Sequence, residues 1–234
     1  MNTIDIKGDE QTFRELASKI IIDFVDDQLE TIGSYAFYNC TQLESVELPA
    51  VTSIGEYAFS DCTSLTSVRL PAATSIGNYV FQNCSGIMSV ELPAVTSVSS
   101  YAFVNCRKLT SVELPAAIIT NAGSFKDCIS LTNIELPAVT NIAANSFQGC
   151  LNLTSIELPV VVAIYSTAFG SCSNLSKVII RNTNVVATLN SINAFSGANN
   201  AIIYVPDALV SDYQSASNWS TYASRIKGLS ELPE

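Results

Sequence analysis

The chain has 234 residues, of which 48% are hydrophobic and 14% charged, with a net charge of −10. This is apolar surface enough for a sizeable core, and it excludes a disordered chain. The acidic balance speaks against nucleic acid and anionic membranes, which are held by clustered Lys and Arg, and no run of about 18 apolar residues is present to span a bilayer.

Residues 1–28 read as an N-terminal cap. Ile4-Asp5-Ile6 begins a short strand, and Phe13, Leu16, Ala17, Ile20 and Ile21 recur at helical spacing. That spacing predicts an amphipathic helix over Thr12–Asp23, covering an edge that would otherwise pair with other chains. The opening MNTIDIKGDEQTF has early acidic residues and no basic stretch before an apolar one, so it does not read as a secretory signal.

Residues 29–200 repeat every 22 residues. Leu-Pro recurs from Leu48-Pro49 to Leu158-Pro159, a cysteine from Cys40 to Cys172, and a phenylalanine three residues before each cysteine, from Phe37 to Phe169. A fixed period of this length is the mark of a solenoid whose units bury apolar faces only against their neighbours. Ser45-Val46-Glu47-Leu48 alternates as a half-buried strand does, with Val46 and Leu48 inward, and the proline ends the strand because it has no N–H to donate. Ser53-Ile54 gives a second short extended piece, Gly55 a turn, and Glu56–Phe59 a helical turn that drops Ala58 and Phe59 into the core. About seven such rungs at the sheet spacing make a rod roughly 35 Å long.

The seven cysteines occupy one position of the repeat. In-register side chains one rung apart point the same way, which holds their Cβ atoms farther apart than a disulfide prefers. A ladder of buried thiols is expected. The chain has no histidine, which removes Ser-His and Cys-His nucleophiles and disfavours zinc; no cofactor is expected.

Two units depart from the pattern. Thr120 stands where an inward Ile belongs, after Ile118-Ile119, which suggests a local shift or bulge. After Val178-Ile179-Ile180 the Leu-Pro is lost and an insertion spans Asn182–Asn193, so that Phe195 follows Phe169 by 26 residues. Residues 201–234 read as a C-terminal cap. In it Ala201–Val205 is a last strand, Pro206-Asp207 a turn into a helix with Leu209, Val210 and Tyr213 on one face, and Trp219, Tyr222 and Ile226 fold over the end of the coil.

The unit C-x-x-L-x-x-[VI]-x-L-P-x-x-x-x-x-I-G-x-x-A-F-x-x-C resembles the BspA-like (Treponema pallidum-type) leucine-rich repeats of bacteria, over roughly Leu29–Phe195. The resemblance implies a right-handed leucine-rich-repeat solenoid with a parallel sheet on the concave face, short strands and helical turns on the convex side, a helical N-terminal cap and an α/β C-terminal cap. It also implies a cell-surface or secreted protein that binds other proteins or matrix and has no catalytic residues.

The outward position of the main strand is the leading candidate site. It carries Glu47, Arg69, Glu91, Glu113, Glu135 and Glu157, flanked by serines that include Ser89 and Ser111. Neighbouring like charges on a sheet repel. Such a row serves as a solvated face that resists edge pairing or as a binding face for a basic or polar protein partner. Tyr35, Tyr57, Tyr79 and Tyr101 form a second, aromatic row, suited to a glycan or protein or to covering the rungs beside it. Two carboxylates about 5–5.5 Å apart is also the spacing of a retaining glycosidase. These glutamates, however, are equivalent by repetition, with nothing to set an acid apart from a nucleophile. A spacer within a larger surface or phage protein is a further reading.

Overall fold

Each repeat makes one coil of a solenoid, and corresponding residues of successive coils lie one rung apart. The structure, a computed structural model, describes residues 2–4, 22–23 and 29–233. Three backbone ladders run along the coil. The main sheet is all parallel and is built from Ile22–Asp23, Ser45–Glu47, Ser67–Arg69, Ser89–Glu91 and Ser111–Glu113, then Ser155–Leu158, Lys177–Ile180, Ile202–Val205 and Ile226–Gly228. Between its two halves the coil at Glu135 is held by single bridges to Glu113 and Glu157.

The second ladder runs through Leu29–Ile32, Ser53–Ile54 and Ser75–Ile76, and resumes from Ser97–Val98 to Thr188–Leu189. At the break a side chain replaces the backbone: the Ser99 hydroxyl donates to Ile76 O at 2.5 Å, where Gly55 N donates to Ile32 O two coil pairs earlier. Asn2–Ile4 pairs with Leu29–Ile32 at the start of this ladder. Of the strand expected to begin at Ile4-Asp5-Ile6, Ile4 lies in this pairing, and Asp5 and Ile6 lie outside the described residues. Most of the helix expected over Thr12–Asp23 lies outside them; its last two residues are instead the strand Ile22–Asp23, paired with Val46 and Glu47.

The third ladder lies on the convex side and corrects the expected helical turn. Tyr57 O accepts from Ser60 N and Phe59 O from Cys62 N, two successive tight turns rather than a helix, and Tyr57, Phe59 and Asp61 each donate their N–H to the next coil. This geometry places two residues per coil in the left-handed region, except in the coil of Phe195, where only Gly197 adopts it. The position two residues after the phenylalanine is Asn39, Asp61, Asn83, Asn105, Asp127, Gly149, Ser171 or Gly197, mostly residue types that tolerate it. Side chains add to the ladder: Asn83 Nδ2 donates to Asp61 Oδ1 at 2.8 Å and Asn105 Nδ2 to Asn83 Oδ1 at 3.0 Å.

The core is a set of columns. Phe37, Phe59, Phe81, Phe103, Phe125, Phe147, Phe169 and Phe195 stack with centroids 5.0–5.5 Å apart. Beside them the thiols of Cys62, Cys84, Cys106, Cys128, Cys150 and Cys172 are buried, and each donates to the carbonyl of the phenylalanine one coil back, from Phe37 O to Phe147 O, at 2.9–3.2 Å. The thiol column is as expected: same-facing side chains bond to the backbone instead of to one another.

Thr120 causes no bulge. Ile119 and Thr120 pair in register with Ser97 and Val98 on one side and Asn141 and Ile142 on the other. Its hydroxyl is accommodated by Ser146, which stands where Ala36, Ala58, Ala102 and Ala168 stand in other coils. The insertion is likewise extruded. Phe195 still stacks on Phe169, and Thr188–Leu189 still pairs with Ala163–Ile164, so the coil persists where the sequence pattern decays.

Beyond Val205 the chain forms a short 3-10 turn Asp207–Leu209, the helix Val210–Ser215 and a 3-10 segment Trp219–Arg225. Trp219 Nε1 donates to Ala187 O at 2.6 Å, Tyr213 OH accepts from Ala187 N at 2.9 Å, and Trp219 and Tyr222 meet the last phenylalanine, Phe195. Ile226 is buried as expected, within a further strand of the main sheet.

Candidate functional site

Along each main strand the inward residues Val46, Val68, Val90, Val112, Ile134 and Ile156 are buried, so the alternate positions face out. The register places Glu47, Arg69, Glu91, Glu113, Glu135 and Glu157 in one row, neighbour against neighbour. The same row runs on through Ile179, Tyr204 and Lys227, and among the described residues its first position is Asp23, paired with Glu47. These four lay beyond the reach of the sequence reading because the repeat pattern fails at both ends.

The row is not uniformly acidic in effect. Arg69 donates through Nη1 to Glu47 Oε1 at 2.9 Å and through Nε to Glu91 Oε2 at 3.0 Å, so one guanidinium spans two coils. Glu47, first, and Glu91 raise the pKa of the guanidinium. Arg181, from just past the strand Lys177–Ile180, pairs with Glu157. Glu113 and Glu135 take part in no ion pair among the described residues. Two free carboxylates therefore lie side by side at the middle of the row, where the sheet is thinnest.

The face is a trough. Three depressions of about 380, 410 and 340 Å³ follow one another along it. The first is lined by Glu47, Arg69, Ser89, Glu91, Ser111 and Glu113, the second by Glu113, Asn133 and Glu135, and the third by Glu135, Ser155, Glu157 and Ile179. The structure thus brings the strand residues of the sequence reading into one continuous surface. No group of three or more Cys, Asp or Glu suited to a metal ion occurs among the described residues.

The tyrosine row lies elsewhere, on the turn ladder. Tyr35, Tyr57, Tyr79 and Tyr101 stack with centroids 4.8–5.0 Å apart and ring planes within 7° of parallel. Tyr57 and Tyr79 are each covered on both faces by stacked neighbours and present edges and hydroxyls, while Tyr35, stacked on Tyr57 alone, is more than half exposed. Burial, chiefly, raises the Tyr57 phenol pKa, with the flanking tyrosines adding to it. The row ends because Tyr101 lies over Gly123, whose position would place a Cβ 2.4 Å from the ring.

The family model for the BspA-type leucine-rich repeat region, in six copies, matches residues 9–122 and 96–219. The chain belongs to this family. Among solved structures, a leucine-rich cell surface protein of Faecalibacterium prausnitzii is similar over 87% of this chain and 77% of its own, with 23% identity and a TM-score of 0.55. A leucine-rich repeat protein of Treponema pallidum is similar over 81% of this chain and 77% of its own, with 25% identity and a TM-score of 0.54. No curated protein matches the sequence. These likenesses agree with the parallel-sheet leucine-rich-repeat solenoid that the ladders display. No helix among the described residues is long and apolar enough to cross a membrane.

Proposed function

We propose that this BspA-type repeat protein is a non-enzymatic binding module that takes a protein or matrix partner along the outward face of its main sheet. The observation that carries the reading is the pair Glu113 and Glu135. They are free of ion pairs, adjacent in register and set in the central depression of the trough. Carboxylates left in this state favour a basic partner, and Arg69 displays the geometry within the chain itself, a guanidinium seated between two glutamates of the row. The serines on either side supply hydroxyls that suit polar segments. Extended faces of this kind are the usual binding surfaces of solenoids. The description of the Faecalibacterium relative as a cell surface protein supports a surface setting for this chain as well.

Hydrolysis by paired glutamates finds no support in the geometry. Glu113 and Glu135, the two carboxylates without an ion pair among the described residues, line the same open depression and differ in nothing that would divide an acid from a nucleophile.

The test is a binding screen against matrix proteins, mucins and glycans, with native protein beside a variant carrying Glu113→Lys and Glu135→Lys. A partner held by the native chain and lost by the folded variant supports the reading. A partner held equally by both moves the site to the tyrosine row or the caps. No partner for either favours a spacer.

A further inference from the structure

The tyrosine row of the turn ladder is unusual in its backbone as well as in its rings. Tyr35, Tyr57, Tyr79 and Tyr101 all lie in the left-handed region, with φ between 55° and 61°. Bulky residues rarely adopt that conformation and are strained in it, whereas glycine and asparagine take it more readily. Gly123 and Asn145 do so at the same position of later coils. Four successive coils thus hold a tyrosine where a smaller residue would serve the turn. What the chain gains is a register of rings. Neighbouring centroids are 4.8–5.0 Å apart and the planes lie 3–7° from parallel, so ring carbons of one coil face those of the next at about that spacing. The row reaches the surface, with Tyr35 55% exposed and Tyr57, Tyr79 and Tyr101 half-buried. Other groups open to one-electron oxidation are shielded or solitary. Trp219, Tyr213, Tyr222 and the thiols from Cys62 to Cys172 are buried, and each of those thiols is bonded to a backbone carbonyl. Tyr165 is exposed but stacks on no other ring among the described residues.

We propose that the tyrosine row is an oxidative cross-linking site, at which hydrogen peroxide acting through a haem peroxidase joins rings of consecutive coils as dityrosine. Each of two neighbouring phenols gives up one electron and its hydroxyl proton. The resulting radicals pair, forming a carbon–carbon bond between Cε atoms that flank the phenol carbons. The hydrogen on each joined carbon then passes through water to the oxygen, which restores both phenols. The two electrons and two protons released reduce one peroxide to two waters. Such a link ties positions 22 residues apart in the sequence. It restricts the unfolded chain and so stabilises the solenoid. This face is separate from the main-sheet trough and does not depend on what the trough binds.

The experiment treats dilute native protein with a haem peroxidase and hydrogen peroxide, isolates the monomer by size exclusion and digests it with trypsin. Cleavage after Arg69 separates Tyr35 and Tyr57 from Tyr79 and Tyr101, so a Tyr57–Tyr79 link joins two peptides that are otherwise apart. Mass spectrometry is expected to find that joined pair, lighter than the sum of its peptides by two hydrogens. The linked monomer is expected to show dityrosine fluorescence and a higher denaturant midpoint than the untreated protein. Tyr79→Phe keeps a stacked ring and removes the phenol, so it is expected to stay folded and lose the joined pair. Native monomer whose two peptides stay separate after treatment overturns the proposal. So does a joined pair that survives Tyr79→Phe, dityrosine confined to species larger than the monomer, or a linked monomer whose midpoint has not risen.

Discussion

Thr120 donates its hydroxyl to that of Ser146 at 3.0 Å, across one coil of a core that is otherwise built of aliphatic, aromatic and thiol columns. The Ser146 hydroxyl in turn donates to Ala143 O at 2.8 Å, so this pair is satisfied. Ser124, in the same column as Ser146, is not: its hydroxyl is buried without a partner. A buried hydroxyl left unpaired costs on the order of 1–3 kcal/mol. Ser124→Ala, which installs the residue found at Ala58, Ala102 and Ala168, is expected to stabilise the protein by about 1 kcal/mol. Thr120→Val, matching Val98 one coil away, is expected to be near neutral because Ser146 keeps its bond to the backbone. Denaturant midpoints of the two variants check both, and a destabilising Ser124→Ala means that the hydroxyl has a partner after all.

What was legible in the sequence was whatever each coil repeats. Inward Val and Leu, the Phe and Cys columns and the outward Glu row are each stated several times over, so one chain serves as its own alignment. Thr120 was misread as a bulge because a single odd residue carries no information about how its neighbour Ser146 will answer it. The turn ladder was misread as helical because Glu56–Phe59 has helix-compatible residues. The opposing signal lay one step on, in the Asn, Asp and Gly at Asn39, Asp61, Asn83 and Gly149, residue types that favour the left-handed region. On the main strand, the register that lines up Glu47, Arg69, Glu91, Glu113, Glu135 and Glu157 was legible. The division of that row into paired and free carboxylates was not, since Arg181 reaches Glu157 from outside the repeat unit.

Gly123 ends the tyrosine row and is the natural place to test it. Its φ of +62° suits glycine, and an added Cβ meets the Tyr101 ring. Gly123→Ala therefore loses on both counts and is expected to destabilise by about 1–2 kcal/mol. Combining it with Tyr101→Ala removes the steric part, so the double variant is expected to cost less than the sum of the singles. Strict additivity in a double-mutant cycle of unfolding free energies means the ring does not rest on Gly123.

The phenylalanine column transmits packing from coil to coil, and its middle has no cheap way to collapse. Phe103 is fully buried between Phe81 and Phe125. Phe103→Ala is expected to cost about 3–5 kcal/mol. Phe37, at the described start of the column, has one stacked neighbour, Phe59, and its truncation is expected to cost less. Equal losses at the two positions mean that the stack contributes little beyond each ring's own burial.

The thiol column makes the fold sensitive to alkali. Burial pushes the thiols of Cys84, Cys106, Cys128, Cys150 and Cys172 up from their ordinary value, Cys172 to about 12. In the unfolded chain the same groups titrate near 8.5. Below that pH both states are protonated and the contribution to stability is complete. Above it the unfolded chain releases protons that the folded one retains, so stability falls with rising pH until the folded values are reached. The slope is up to about 1.4 kcal/mol per pH unit for each thiol. With five of them, one pH unit above 8.5 removes several kcal/mol, a large share of the ~5–15 kcal/mol typical of a domain. The denaturant midpoint is therefore expected to hold from pH 7 to 8 and drop steeply from pH 9 to 10. Cys106→Ala and Cys128→Ala together are expected to make that drop shallower, whatever they do to stability at pH 7. A midpoint that stays flat to pH 10 means the thiols reach solvent and ionise within the folded coil.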